Sequence, residues 1–210
     1  MTTITARADE AQEDHHAALH VVRDAPGIDV TGAEQAVADL LHALGHDTED
    51  EHLRETPRRV AAAFAEMLTP RPFTPTTFPN DEHYDELVLA RSIPFHSLCQ
   101  HHLLPFSGVA HIGYLPGERI LGLSKLARVV EHFARRLQIQ ERLTKQTADW
   151  LQQELRPKGV GVVLEAEHLC MSLRGVQAHG TLTVTSSLHG LLREDARSRA
   201  EFFALTGTAG

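Results

Sequence analysis

Apolar positions along this chain change period in a way that divides it into regions. Residues 1–28 are polar, acidic and aperiodic, the pattern of a mobile tail. Beyond them Val37, Leu40, Leu41 and Leu44 recur at helical spacing, so a helix is predicted from Thr31, opened by a Thr31/Glu34 capping box and ended by Gly45. A second helix is predicted from Thr56-Pro57, with the hydroxyl at the N-cap, proline at the first helical position, and Val60, Phe64, Met67 and Leu68 on its buried face. The stretch TPRPFTPTTFPN, residues 69–80, reads as a proline-broken linker and a boundary.

After residue 80 the period alternates between two and 3.6. Residues 86–95 and 106–115 read as strands, the second ending in a Pro116-Gly117 turn. A helix from Ser124 places Leu126, Val129, Val130, Phe133 and Leu137 on one side. Another over 141–155 does the same with Leu143, Thr147, Leu151 and Leu155. Strands follow at 159–168 and 179–187, then a terminal helix with Ala200, Phe203 and Ala204. Strand pairs alternating with helix pairs imply an α+β fold, an antiparallel sheet with helices on one face. The expected organisation is a tail over 1–28, a helical region and linker over 29–80, and a main domain over 81–210.

Composition narrows the function classes. The 42% apolar and 23% charged fractions are those of an ordinary soluble protein. No apolar run reaches the roughly 18–20 residues of a membrane helix, and the N-terminus lacks a signal-peptide layout, so a cytoplasmic home is expected. Of the acids, 13 of 28 fall in residues 1–55 against only 3 of the 20 bases. The remainder is slightly basic and can gather a pocket for an anion. No long basic face or aromatic-interleaved basic stretch argues for nucleic acid.

The densest chemistry is His96-Ser97-Leu98-Cys99-Gln100-His101-His102. Cys99 and His102 form a Cys-x-x-His pair, which one turn of chain can present to a single ion. His168-Leu169-Cys170 is the partner segment; if it continues the preceding strand, His168 and Cys170 point to one face. Two thiolates and an imidazole suit zinc and leave a fourth tetrahedral position for water, whose pKa zinc lowers to about 7. The same residues, with either His101 or His168 as a fourth ligand, would equally close a structural zinc site.

Longer blocks bear on that choice. CQHHLLPFSGVAHIGYLP (99–116), GLSKLARVVEHFARRLQIQERLT (122–144), GVGVVLEAEHLCMSLRGV (159–176) and TLTVTSSLHG (181–190) closely resemble the signature blocks of the GTP cyclohydrolase I family, with a weaker match at ETPRRV (55–60). The resemblance implies a tunnelling fold, in which subunit sheets join into pentameric β-barrels, two rings stack into a decamer, and active sites lie between subunits. It implies hydrolytic opening of the imidazole ring of GTP to give 7,8-dihydroneopterin triphosphate and formate, the first step of tetrahydrofolate and pterin biosynthesis. On matching positions it implies Cys99, His102 and Cys170 as zinc ligands and His101 and His168 as acid/base residues. Glu141, with Gln140 beside it, would read guanine; Ser124, Lys125, Arg128, Arg174 and Arg59 would hold the triphosphate.

Gln100 stands where that family usually shows Glu, and the lost negative charge is expected to lower the pKa of the adjacent histidines. Two other readings stay open at this point: a related enzyme feeding a deazapurine or other specialised pathway, and a non-catalytic scaffold with a structural zinc.

Overall fold

A computed structural model describes residues 27–207. The tail expected over 1–28 lies outside the described residues except for its last two. Two helices come first, α1 (Val30–Ala43) and α2 (Thr56–Leu68). Asp29, rather than Thr31, caps α1: its carboxylate accepts from Gly32 N at 2.9 Å. Glu55 occupies the N-cap of α2, which moves Thr56 and Pro57 one place into the helix. Val60, Phe64, Met67 and Leu68 of α2 are half-buried, whereas no residue of α1 is buried. Leu40 and Leu44 remain 56% and 65% exposed.

The sheet follows. Strands β1 (Thr77–Pro79), β2 (Val88–Cys99), β3 (Pro105–Leu115) and β4 (Arg119–Leu121) lead into α3 (Leu123–Ala134), β5 (Leu137–Gln138) and α4 (Gln140–Leu155). Then come β6 (Gly159–His168), the single turn α5 (Leu169–Ser172), β7 (Leu182–Gly190), α6 (Leu191–Glu194) and α7 (Ala196–Thr206). The main sheet has the order β5-β2-β3-β6-β7, antiparallel except where β5 joins β2. The strip 69–80 is more than a linker: β1 within it pairs with β4, and Phe73 packs on Trp150 and His132.

Alternation along the strands separates two cores. On one face Phe106, Ala110, Ile112 and Tyr114 of β3 and Val160, Val162, Leu164 and Ala166 of β6 pack beneath α3 and α4. The helices contribute the side chains their periodicity predicts: Leu126, Val129, Val130 and Phe133, then Leu143, Thr147, Leu151 and Leu155. Leu137 departs from that stripe, because the chain leaves the helix at Arg135 and Leu137 stands 41% exposed in β5. Helices cover both faces, not one. Val163, Leu192 and Phe202 form a second core under α6 and α7, where the Phe202 ring lies against Gly113 and Gly161, positions at which a Cβ would collide with it. Phe202, one residue before the predicted Phe203, is the fully buried anchor of α7.

His111 of β3 lies on this second face, 5% exposed, with Nδ1 lacking a hydrogen-bond partner among the described residues. Burial, then the Arg91 charge, holds its pKa below the ordinary 6.5, against an opposing pull from Glu165. Below that ordinary value the unfolded chain takes a proton that the folded one refuses, so the contribution to stability is present above it and is lost as pH falls. His111→Leu is expected to lose less stability than the parent between about pH 7.5 and 5.5, read by thermal melts at both pH values. Parallel losses would contradict the assignment.

Candidate metal centre

The β2–β3 hairpin turn presents the first half of the site. Cys99 ends β2, and its backbone N–H donates to Leu104 O at 2.9 Å while its carbonyl accepts from Leu103 N at 2.9 Å. Leu103 takes a left-handed φ of 55°, which costs a non-glycine residue roughly 1 kcal/mol and tightens the turn. Cys99 is buried; His101 and His102 are exposed at the tip.

The second half comes from the end of β6. The chain does not continue as a strand: after His168 it turns into α5, so Cys170 leaves the alternation that would have put it on the face of His168. Cys170 Sγ thereby comes within 3.9 Å of Cys99 Sγ, and Cys99 Sγ lies 3.7 Å from His102 Nδ1. The ligand atoms of Cys99, His102 and Cys170 all fall within 4.8 Å of one another, and this is the one such group among the described residues.

Those distances test the fit to a metal. A tetrahedral zinc with ordinary bond lengths would set its sulfurs about 3.8 Å apart and sulfur from nitrogen about 3.6 Å, close to what the side chains adopt. His101 Nδ1 is 3.8 Å from Cys99 Sγ but falls outside the mutually close group. His168 Nε2 is engaged elsewhere, 2.7 Å from Gln140 Oε1. The described residues therefore gather three side chains, not four, that could hold a metal. Burial, followed by the neighbouring Cys99 thiol, pushes the Cys170 thiol above its ordinary 9.0, with Arg174 opposing. A raised Cys170 pKa keeps that thiol protonated, so metal binding there would displace its proton and would weaken in acid.

Around this centre stand further residues singled out from sequence. His168 is half-buried and stacked on its cross-strand neighbour Phe106, centroids 4.6 Å apart and 2° from parallel. Burial lowers its pKa from 6.5, while the Glu141 carboxylate at the exposed start of α4 pulls it upward. Arg174 lies in the exposed loop after α5. Gln140 is 1% exposed and its side chain is bonded within the protein. Its place was legible in sequence, its burial was not.

The remaining residues lie elsewhere in this chain. Tyr114 Oη accepts from Leu121 N at 3.0 Å just before α3 begins, whereas Ser97 Oγ donates to Ala134 O at 2.6 Å where α3 ends. Helix α3, about 18 Å long, thus runs along β2, with Ser124 and Lys125 at the end remote from Cys99. Arg128, one turn on, meets Glu131 at 3.4 Å and lines a cleft of about 310 Å³ between β2 and α3, with His96 and Arg135. None of the three metal-set residues lines that cleft. Arg59 is exposed on α2.

Arg142 is a residue that the sequence reading missed; only its place after Gln140 and Glu141 hinted at a role. Its guanidinium donates to Gln100 Oε1 at 2.8 Å, Gln138 Oε1 at 2.8 Å and Leu137 O at 2.7 Å, tying the hairpin turn to the start of α4. The charge absent at position 100 is expected to lower the pKa of the adjacent histidines; the Gln100 amide oxygen itself meets Arg142.

Fold and site together define an α+β protein with a three-ligand centre suited to a hydrolytic metal. The family model for GTP cyclohydrolase I matches residues 33–207. GTP cyclohydrolase 1 of Aquifex aeolicus is 52% identical over 178 residues, 85% of this chain and 97% of that protein. Those of Mycolicibacterium paratuberculosis and Mycobacterium tuberculosis are each 51% identical, over 88% and 80% of this chain and 91% and 86% of theirs. This chain belongs to the GTP cyclohydrolase I family.

Gln100→Glu is expected to add a charge-assisted bond to Arg142 worth about 0.5 kcal/mol at this exposed position. The melting temperature should rise slightly and the pH–rate profile should stay in place. A displaced profile would show that a carboxylate here acts on the imidazoles instead.

Proposed function

We propose that this chain is a zinc-dependent GTP cyclohydrolase I, converting GTP and water to 7,8-dihydroneopterin triphosphate and formate, at the entry to tetrahydrofolate and pterin synthesis. The observation that carries the reading is the convergence of Cys99, His102 and Cys170 within 4.8 Å, beside His168 and Glu141. Cys99, His102 and Cys170 would hold the zinc, which when bound supplies the Lewis acidity that makes water a competent nucleophile near neutral pH.

The chain's own residues do the rest. Guanine offers an N1–H and an exocyclic amine, two adjacent donors that the Glu141 carboxylate can accept together. His101 protonates N7 as water adds to C8, and the C8–N bond then breaks to leave a formamide. His168 carries protons as a second water releases formate. The ribose rearranges through proton transfers, and closure of the new ring expels one water, so the net consumption is a single water.

The triphosphate needs cations that one chain does not bring to the metal. Arg174 is on the metal side, but Ser124 and Lys125 begin α3 at the far end of β2. A helix start and its cations suit phosphate well, so Ser124, Lys125 and Arg128, with Arg59, are assigned to the triphosphate of a site completed by a second copy. The sheet supports such an assembly. β7 is an edge strand with Leu182 and Val184 exposed, and β2 pairs with β5 only at Leu98 and Cys99. Two open edges permit sheets to join around a ring, as in the barrel of pentamers stacked into a decamer. Residues 81–210 then form the catalytic domain, 29–80 a helical layer outside it and 1–28 a tail, in a cytoplasmic enzyme.

Purified protein given GTP should release formate and develop the absorbance of a dihydropterin; neither appearing would overturn the reading. Cys170→Ser should lower bound zinc and slow turnover by more than about 100-fold, whereas a metal-replete, active variant would remove Cys170 from the ligand set. Mixed, unfolded and refolded together, Cys170→Ser and Arg128→Ala should recover activity at roughly a quarter of the sites, because each intact site draws its two halves from different copies. No recovery would place both halves in one chain.

A further inference from the structure

Gln140 deserves a role other than reading the base, on account of where its amide is spent. The side chain is buried at the first position of α4, 1% exposed. Its Nε2 lies 3.1 Å from Leu164 O, 2.8 Å from Thr183 O and 3.1 Å from Thr185 Oγ1. Two of these are backbone carbonyls, which only accept, so the nitrogen must face them; the flipped amide would set an oxygen against two oxygens. Thr185 is itself held by the Thr144 hydroxyl at 2.6 Å, and Thr144 donates to Gln140 O at 2.8 Å. The amide therefore has one orientation, with Oε1 outward.

That oxygen lies 2.7 Å from His168 Nε2. An amide oxygen only accepts, so His168 Nε2 carries the hydrogen. A neutral imidazole bearing its hydrogen on Nε2 has its lone pair on Nδ1. The Phe106 ring lies parallel to the imidazole and limits its tilt. Among the described residues Nδ1 has no hydrogen-bond partner. We infer that Gln140 is a positioning residue, which fixes His168 as the Nε2–H tautomer and presents Nδ1 as the atom that exchanges a proton with the substrate.

The assignment explains why an amide stands here. A carboxylate would face two carbonyl oxygens across a buried contact, and an apolar residue would leave Leu164 O, Thr183 O and the imidazole hydrogen unmatched. It also leaves the Gln140 side chain no amide hydrogen to offer guanine, since both are committed inside the protein. The inference rests on the reading of His168 as a proton-transfer residue, but its first test does not depend on turnover.

Solid-state NMR of the zinc-loaded, full-length protein labelled with 13C,15N-histidine reads the tautomer directly, with His168 assigned by its absence from His168→Asn. The expected result is a protonated Nε2 and a bare Nδ1. A protonated Nδ1 in the parent protein would overturn the inference, whether or not the enzyme turns over GTP. Gln140→Met, which keeps length and removes the acceptor, should give a mixture of tautomers and lower kcat by about 10- to 100-fold, with KM for GTP changed less than about threefold. A raised KM with kcat preserved and the tautomer unmoved would return Gln140 to base recognition. Should Gln140→Met fail to fold, the tautomer of the parent protein decides the matter alone.

Discussion

The proposed chemistry depends on two thiols, separated by 71 positions in the chain, meeting at 3.9 Å. Neither thiol is placed by local sequence alone. Cys99 is fixed because β2 ends in a tight hairpin that spends backbone hydrogen bonds on its own turn. Cys170 is fixed because β6 pairs with β3 up to Phe106 and His168 and then turns at once into α5. The β3–β6 register is thus the ruler that sets the ligand distance. A one-residue slip would move every side chain of β6 to the other face and carry Cys170 away.

The same register places His168, the proposed proton-transfer residue. Phe106 and His168 are cross-strand partners, so pairing that aligns the sulfurs also lays the imidazole on an aromatic ring. Helix α4 then starts beside that pair, and consecutive residues have different tasks. Gln140 points inward to the histidine, Glu141 faces solvent near it, and Arg142 reaches across to the hairpin turn. Three adjacent side chains on one helix start tie the turn, the imidazole and the open side of the site into one unit. The cations at the start of α3 belong to a different end of the sheet, so the proposed catalytic site divides between copies along β2.

Much of this was legible in the sequence, and the failures have physical causes. Leu137 apart, the 3.6-residue stripes of α3 and α4 predicted their buried faces, because both helices lie along one apolar face of the sheet. The Cys-x-x-His spacing predicted a shared turn, and Cys99, His102 and Cys170 do lie together as a group that could hold a metal. What failed was non-local. Nothing in His168-Leu169-Cys170 announces that the strand stops between them, because pairing with β3 decides it. Leu137 fits the helical period yet is claimed by β5. Gln140 looked like a neighbour of Glu141, and its burial depends on Leu164, Thr183 and Thr185 from distant strands.

X-ray absorption at the zinc edge of the purified protein tests the central claim most directly. The account predicts two sulfurs at about 2.3 Å, one imidazole nitrogen and one further light atom from solvent around each zinc. Two imidazoles beside the two sulfurs would describe a closed structural site, and a protein that takes up no zinc at all would leave the hydrolytic reading without its foundation.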